Sequence, residues 1–343
     1  MRDNPCRRNA PVRSNTLFAL AAALLILAGC TAEKQQAGDS GPAAPASAMK
    51  VALLTTGPVT DQGWNQSAYD GLLRIQKDLG AQISKQETPN PSSFQSAFEG
   101  YAQQGYDVVF AHGDEYADAA AKVAAEYPKT VFVTTGGDKT APNLAAIEFA
   151  TEEGAYLQGM QAGFLSKSGK GGFVGGQELA PVKVAALAFK QGMLAANPKA
   201  QFSITYIGNW SDAAKAKAYT EALIASGADV IAHNCDAAAS GLFQAAAAHP
   251  GVYAFGVNSN QNDQPGNVVS SAVLDIPKAF VDIATSVRSR TFKGQTLHLG
   301  AASGDVYVID NPRLARLFTA DQQARLAKAT TDLKAGKILF ASR

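Results

Sequence analysis

Short apolar or β-branched runs alternate with longer segments of helical period through most of this chain, first over residues 50–149 and again over residues 172–257. This alternation is typical of βαβ units, in which helices join buried parallel strands. Because two sets of similar size follow each other, the sequence predicts an α/β protein with two Rossmann-like lobes, each built around a parallel sheet.

The first lobe is predicted to contain strands 50–55, 82–87, 108–112, 131–135 and 144–149 and helices 66–79, 92–104 and 115–127. The second is predicted to contain strands 172–175, 201–208, 230–233 and 252–257 and helices 182–196, 212–226 and 237–248. Ligands of open parallel sheets bind beyond the carboxyl ends of the strands. The residues that directly follow these strands are therefore the candidates for a binding site.

Composition places the chain among soluble globular proteins. It has 343 residues, of which 46% are hydrophobic and 17% charged, and this length suits about two domains. Its 30 basic and 29 acidic residues leave a formal charge of +1. A protein that neutralises nucleic-acid phosphates needs a basic surplus, so nucleic acid is not an expected partner.

A targeting segment precedes the lobes. Four arginines come before an apolar run of 11 residues at 17–27, which is shorter than the roughly 20 residues that span a bilayer as a helix. The run ends in Ala28, Gly29 and Cys30, the pattern of a bacterial lipobox. An ordinary signal peptide with an incidental cysteine and a twin-arginine signal are the alternatives. We favour ordinary secretion with lipidation of Cys30, so that residues 1–29 are the signal peptide and residues 30–49 a flexible tether.

The three cysteines predict no disulfide framework in the mature chain. Cys6 lies in the predicted signal peptide and Cys30 is predicted to carry lipid, which leaves Cys235 without an intramolecular partner. We interpret Cys235 as a small apolar side chain rather than a nucleophile, because no nearby pattern supplies an activating base.

The two tryptophans of the chain each follow a strand, in opposite lobes. Trp64 stands beside Asn65 after the first strand, where burial in the core of the lobe is awkward, and we predict that it stacks on a ligand. Trp210 could face it from the second lobe, so that the two rings clamp a flat π-system, or could pack over the Asp212 cap of its own helix. The sequence leaves these two roles of Trp210 open.

Histidines end equivalent strands of the two lobes, at His112 and His233. Asp114 follows His112, but none of the four histidines is paired with another ligand at metal-binding spacing, so no metal is expected. Hydrogen bonding of His112 and Asp114 to a ligand is favoured over catalysis. A structural role for each histidine is the stronger alternative.

Polar side chains also follow strands of the second lobe, at Asn234, Asp236, Asn258 and Gln261. Their amide and carboxylate groups suit the edge of a heterocycle, while Asp236 has the alternative of capping the helix that follows it. The sequence has no dinucleotide fingerprint, phosphate loop, serine elbow or pair of catalytic carboxylates. It therefore predicts no cofactor and no catalytic residue.

Three motifs carry a likeness to a known family: residues 61–71 (DQGWNQSAYDG), 152–159 (EEGAYLQG) and 256–261 (GVNSNQ). Together with the lipobox they resemble the basic membrane protein family, the purine-nucleoside-binding lipoproteins of ABC importers, from residue 50 to the region of residue 310. The resemblance implies the type I periplasmic-binding-protein fold, with a hinge between the lobes. It also implies that Trp64 stacks on the base and that Asn65 lies at the pocket.

Two departures from the family pattern concern its ribose-binding positions. The chain has Asn258 and Asn260 where the family commonly has aspartate, and Leu274 after Ser270 and Ser271 where it has lysine. Such replacements remove charge-assisted hydrogen bonds of about 1.5 to 3 kcal/mol each. We therefore expect a free purine base to bind at least as tightly as its nucleoside.

The predicted function is that of a lipid-anchored substrate-binding protein in the bacterial cell envelope, which captures a purine nucleoside or nucleobase and presents it to an ABC permease. The alternatives are a membrane-tethered ligand sensor for a flat heterocycle and a nucleosidase-type enzyme, for which the sequence shows no carboxylate or metal cluster. We expect a monomer whose first lobe comprises residues 50–150 and 274–301 and whose second lobe comprises residues 151–273 and 302–343.

Overall fold

The computed structural model describes residues 48–61 and 63–340. The predicted signal peptide, the predicted lipidation residue Cys30 and most of the predicted tether lie outside the described residues.

The described chain runs through alternating strands and helices. The first elements are β1 (Lys50–Thr55), α1 (Trp64–Leu79), β2 (Gln82–Glu87), α2 (Phe94–Gln103), β3 (Val108–His112), α3 (Ala117–Glu126), β4 (Val131–Thr135) and β5 (Leu144–Phe149). They are followed by α4 (Thr151–Leu165), β6 (Lys170–Gly175), α5 (Ala180–Ala196), β7 (Gln201–Tyr206), α6 (Ala213–Ala225), β8 (Val230–Asn234), α7 (Ala239–Ala248), β9 (Tyr253–Asn258) and β10 (Asn267–Leu274). The last elements are α8 (Ile276–Arg288), β11 (Thr296–Leu299), β12 (Val306–Asp310) and α9 (Ala320–Lys334).

These strands form two six-stranded sheets, in the orders β11-β5-β4-β3-β1-β2 and β12-β10-β9-β8-β6-β7. Neighbouring strands are parallel throughout the first sheet, and in the second all are parallel except β10 and β12. We call the first sheet with α1, α2, α3 and α8 the first lobe, and the second sheet with α4, α5, α6, α7 and α9 the second lobe. The predicted α/β architecture with two parallel sheets is confirmed.

The chain passes between the sheets more than once. After β10 in the second sheet, α8 and β11 belong to the first lobe, and β12 returns to the second sheet. Helix α8 packs closely on α1, because Gly71 has no side chain: a Cβ there would lie 3.0 Å from the ring of Phe280 and 3.2 Å from Cα of Pro277. The patterns within single elements contain no information on which sheet these last strands join.

The predicted strands of the first set have the observed bounds, whereas several helices begin later than predicted. Strands buried on both faces read as continuous apolar runs and are easy to delimit. Helices α2, α3 and α7 are each preceded by a 3₁₀ turn, at Pro91–Ser93, Asp114–Tyr116 and Asp236–Ala238. Strand β6 begins at Lys170, two residues earlier than predicted, because charged residues and glycine have weak strand propensities and Lys170 and Gly171 concealed its start.

Two glycines allow α4 and α5 to touch through their backbones. A Cβ on Gly159 would overlap the carbonyl of Phe189, and one on Gly192 would overlap the carbonyl of Tyr156. The glycine that ends the EEGAYLQG motif is therefore a packing residue of the second lobe.

Apolar side chains cover both faces of each sheet. In the first lobe, for example, the rings of Phe110 from β3 and Phe280 from α8 stack with centroids 4.1 Å apart. Within residues 48–61 and 63–340, no helix combines the length and apolar character required to cross a membrane.

Candidate ligand-binding site

The site is formed where the carboxyl ends of the strands of the two sheets meet. Gly63, between β1 and α1, touches Asp236, which lies two residues after the end of β8: a Cβ on Gly63 would lie 3.3 Å from Oδ1 of Asp236. The strand-end residues of both lobes are therefore close enough to act on one ligand.

Asp61 organises the first-lobe side of this site. Its carboxylate accepts hydrogen bonds from the backbone N–H groups of Gly63 (3.1 Å), Asn65 (2.8 Å) and Gln66 (2.9 Å). These are donors at the start of α1 that no helical carbonyl can satisfy, and the negative charge also suits the positive end of the helix dipole. The side chain is buried, so Asp61 holds the N-terminus of α1 in place.

Asn65 has an unsatisfied acceptor at this position. Its amide nitrogen donates to Oδ2 of Asp61 at 2.9 Å, while its Oδ1 is buried and has no hydrogen-bond partner among the described residues. An unpaired buried polar atom is destabilising by about 1 to 3 kcal/mol. A ligand that donates to Asn65 would remove this penalty.

Trp64 lies partly exposed above His112. The two rings stack with centroids 3.9 Å apart and an interplanar angle of 27°. The ring nitrogens of His112 are both engaged: Nε2 is 3.0 Å from the carbonyl oxygen of Trp64 and Nδ1 is 2.9 Å from the hydroxyl of Thr135. Because a carbonyl only accepts, Nε2 carries the proton and Nδ1 accepts from Thr135.

Both ring nitrogens of His112 are thus occupied within the first lobe, and its ring lies against the indole of Trp64. Its side chain is fully buried, and burial lowers the pKa of His112 to about 3. A neutral, unexposed ring with two internal partners agrees with a structural role, which was the stronger expectation for this histidine; hydrogen bonding to a ligand was favoured only over catalysis.

Asp114 follows β3 and is exposed at the first-lobe edge. Its neighbour Glu115, which the sequence analysis did not single out, folds back over Gly113. Burial, and then the hydrogen bond and charge of Asp114, raise the pKa of Glu115, while its hydrogen bond with Thr56 acts in the opposite direction. The two carboxyl groups thus form a polar pair beside β1.

Asp236 crosses from the second lobe to the N-terminus of α1. Burial, and next the charge of Asp61, raise the pKa of Asp236 to about 7, although hydrogen bonds from the Trp64 backbone N–H and from Asn258 favour its charged form. Asp236 does not make the N-cap hydrogen bond that was the alternative to ligand contact, since it is itself the first residue of a 3₁₀ turn. Its carboxylate faces the other lobe.

Asn258 and Gln261 lie beside Asp236 at the end of β9. Asn258 is buried in a left-handed conformation, with φ of 67°, and its Nδ2 lies 3.4 Å from Oδ1 of Asp236. Gln261 accepts through Oε1 from the backbone N–H of Val257 at 2.9 Å, and the same oxygen lies 3.1 Å from Nε2 of His233. These contacts hold both side chains in a single arrangement.

Trp210 lies flat against Gly176 at the end of β6, where a Cβ would overlap its ring. It is partly buried and packs on the core of the second lobe, whereas Asp212 caps α6 separately by accepting from the N–H of Lys215. Asn234, beside Gly176, is half-buried and makes no side-chain hydrogen bond within the part of the chain that the structure describes. Trp210 and Asn234 thus lie at the edge of the second sheet.

Leu274 does not lie at this edge. It is buried in the first-lobe core with Ile276 and Phe280. Asp275 caps α8, and Lys278 pairs with Asp305 and Asp282. The motif register that put Leu274 at a ribose position is therefore wrong, because β10 turns its last residue into the core.

Cys235 is fully buried beside His233. Burial, and next the charge of Asp236, raise the pKa of the Cys235 thiol. The thiol therefore stays protonated at neutral pH, which agrees with a packing role. In the described ranges, no group of three or more histidine, cysteine, aspartate or glutamate side chains is arranged to hold a metal ion.

Two α/β lobes that meet at their strand ends around a tryptophan and buried amides define a solute-binding protein of the type I periplasmic class. The structure has the fold of an ABC transporter solute-binding protein from Aeropyrum pernix K1, with a TM-score of 0.78 and 20% sequence identity over 86% of this chain and 94% of that chain.

Residues 48–332 match the family described as ABC transporter substrate-binding protein PnrA-like, and the chain belongs to this family. It is 28% identical to the ABC transporter nucleoside-binding protein BmpA of Lactococcus lactis subsp. cremoris, over 94% of this chain and 96% of that protein. It is also 28% identical to basic membrane protein A1 of Borrelia garinii subsp. bavariensis, over 77% of this chain and 81% of that protein. The resemblance noted in the sequence is thus confirmed, and the protein is a substrate-binding protein of an ABC transporter rather than an enzyme.

Proposed function

We propose that this protein captures a purine nucleoside or nucleobase between its two lobes and presents it to the permease of an ABC importer. The observation that carries the proposal is the buried Oδ1 of Asn65 next to Trp64, where the two lobes touch, since this oxygen has no hydrogen-bond partner among the described residues. A flat base with polar edges supplies both an aromatic surface for the indole and a donor for the amide. The nucleoside-binding relative in Lactococcus lactis gives independent support for this ligand class.

In this proposal Trp64 stacks on the base and Asn65 bonds to its edge from the first lobe. The second lobe adds Asp236, Asn258 and Gln261, and further contacts come from a second group at the rim: Asp114, Trp210 and Asn234. His112 contributes indirectly, since it fixes the plane of the Trp64 ring. Because the contacting groups come from both lobes, the ligand and the closed arrangement stabilise each other.

We further propose that a free purine base binds at least as tightly as its nucleoside. Since Leu274 lies in the core, this preference rests on Asn258 alone. The Asn258 amide already lies against Asp236, and it has no charge with which to pair with a sugar hydroxyl. An amide oxygen at this position accepts a weaker hydrogen bond from a ribose hydroxyl than a carboxylate would, so the sugar contributes less to binding.

Mass spectrometry of small molecules extracted from the purified protein tests the ligand class directly, because tight binding proteins retain ligand. Calorimetric titration of adenine, guanine, hypoxanthine and their ribosides then tests the preference. Binding of none of the six compounds would refute the proposed function, whereas consistently tighter binding of the ribosides would refute only the preference for the base.

The proposed location is the bacterial cell envelope, with the protein attached through a lipid on Cys30. This rests on the lipobox pattern of residues 27–30. Replacement of Cys30→Ser should release the protein from membranes or leave its precursor uncleaved. Unchanged membrane attachment would show that the anchor is not at Cys30.

A further inference from the structure

We infer that the two amides of the site have fixed and opposite hydrogen-bond polarity, so that the ligand must offer a donor to Asn65 and an acceptor to Gln261. The inference rests on the proposed function, because it concerns the same site, and it adds which atoms of the ligand are recognised.

The polarity of Asn65 is set by Asp61. A carboxylate that already accepts from three backbone N–H groups can only accept from a fourth partner. The Asn65 amide therefore turns its NH₂ group toward Asp61. Its Oδ1, which remains buried and unpaired, is available only as an acceptor.

The polarity of Gln261 is set by the backbone of Val257. A backbone N–H can only donate, so the amide atom that lies 2.9 Å from it is the oxygen Oε1. The Gln261 nitrogen then points away from this contact and has no partner among the described residues. Gln261 follows Asn258, whose amide contacts Asp236 at the boundary of the lobes, and we assign its nitrogen to the ligand from that position.

A second contact holds Gln261 in the same orientation. Oε1 accepts from Nε2–H of His233, which leaves Nδ1 of His233 as an acceptor toward the thiol of Cys235, 3.9 Å away. Burial lowers the pKa of His233 to about 4, so the ring stays neutral and the donor at Nε2 is retained at neutral pH. The donors and acceptors in the series of hydrogen bonds from Cys235 through His233 to Gln261 are therefore fixed.

A purine satisfies this pattern when one edge carries neighbouring donor and acceptor atoms. Adenine offers its 6-amino group and a ring nitrogen, and hypoxanthine offers N1–H and its 6-oxo group. Adenine and hypoxanthine keep these groups when N9 is methylated, whereas 9-methylpurine keeps the ring nitrogens but has no N–H donor, so it would leave Asn65 Oδ1 without a partner. The site should therefore bind 9-methyladenine or 9-methylhypoxanthine in preference to 9-methylpurine.

The experiment is calorimetric titration of the purified protein with 9-methyladenine, 9-methylhypoxanthine and 9-methylpurine, repeated on Gln261→Glu. In this variant a carboxylate oxygen still accepts from Val257 and His233, but the outward atom becomes an acceptor that opposes the ligand. The matched control is Gln76→Glu, which makes the same change of charge at an exposed position of α1.

We expect 9-methylpurine to bind at least tenfold more weakly than the better of 9-methyladenine and 9-methylhypoxanthine, and Gln261→Glu to weaken that better ligand at least tenfold while Gln76→Glu leaves it unchanged. Equal binding of 9-methylpurine, or a Gln261→Glu variant within twofold of the unmodified protein, overturns the inference and leaves the proposed function standing. Binding of free bases or ribosides without binding of any 9-methyl compound likewise overturns only the inference. If Gln261→Glu does not fold, as judged by circular dichroism, the comparison with 9-methylpurine decides alone. If the unmodified protein binds none of the purine bases and ribosides named above, both the function and the inference fail.

Discussion

The carboxylate of Asp61 provides the sharpest test of how this site is held. It accepts four hydrogen bonds, three from backbone N–H groups and one from the Asn65 amide. In Asp61→Ala all four donors lose their partner, and the N-terminus of α1 loses a favourable charge. One cap is worth about 0.5 to 2 kcal/mol, and a hydrogen bond to a charged group about 1.5 to 3 kcal/mol.

The four bonds are not additive, because water can reach part of the opened helix end and because removal of Asp61 relieves its repulsion of Asp236. We therefore expect Asp61→Ala to lower the free energy of unfolding by about 3 to 5 kcal/mol. The matched control is Asp212→Ala, since Asp212 caps α6 through a single backbone N–H at an exposed site. That variant should lose only about 1 kcal/mol.

Urea denaturation measures both variants, followed by circular dichroism and by the fluorescence of Trp64 and Trp210, which lie in different lobes. The loss in Asp61→Ala should appear first in the first-lobe signal. A loss no larger than that of Asp212→Ala, with an unchanged denaturant slope, would show that the four contacts do not stabilise α1 as argued.

Three further predictions concern the ligand, the charge between the lobes and the packing of helices. Trp64→Ala should weaken purine binding about tenfold or more, from the loss of about 1 to 3 kcal/mol of stacking; unchanged affinity by calorimetry in a folded variant would place the indole in the core alone. Because the pKa of Asp236 is raised from 3.8 to about 7, its charged form is disfavoured in the fold, so Asp236→Asn should raise the ligand-free unfolding free energy at pH 8; this gain should shrink as the pH falls from about 7 toward 3.8, where the folded carboxyl is protonated and the unfolded one loses its charge last, and an equal gain at pH 8 and at pH 4 in urea denaturation would contradict this. Gly192→Ala should lower the unfolding free energy by about 1 to 3 kcal/mol, since the methyl overlaps the backbone of α4, while the control Gly100→Ala, with no atom within 4 Å of the new carbon, should be neutral or slightly stabilising; equal melting temperatures of the two variants would contradict the packing argument.

Local patterns were enough to predict the strands and the edge of the sheets at which the site lies. β1, β3, β4 and β5 are buried runs whose limits are visible in the sequence, and parallel strands place the residues that follow them at one edge. Trp64, Asn65, Asp236 and Gln261 are at this edge for that reason. Their placement at this edge followed from position along the chain alone, and their contact with a ligand stays a prediction.

The partners of these side chains could not be predicted in the same way. His112 is engaged by Thr135 and the Trp64 carbonyl, and Trp210 lies on Gly176. Such contacts join residues from different elements. The hydrophobic pattern within one strand or helix contains no information about the distance between the ends of two separate strands. Glu115 was missed for a related reason, because its folded-back carboxyl depends on the turn at Gly113.

The sequence by itself determined the class of fold, because the strands and helices of repeated βαβ units bury their side chains at regular spacings along the chain. It also determined the family, through its motifs, and the set of polar groups that follow the strands. Only the tertiary structure decided that Leu274 belongs to the core, that β11 and β12 join different sheets, and that Asn65 accepts. The physical reason is that these properties depend on which distant groups come into contact: Asn65 is an acceptor only because Asp61 occupies its nitrogen.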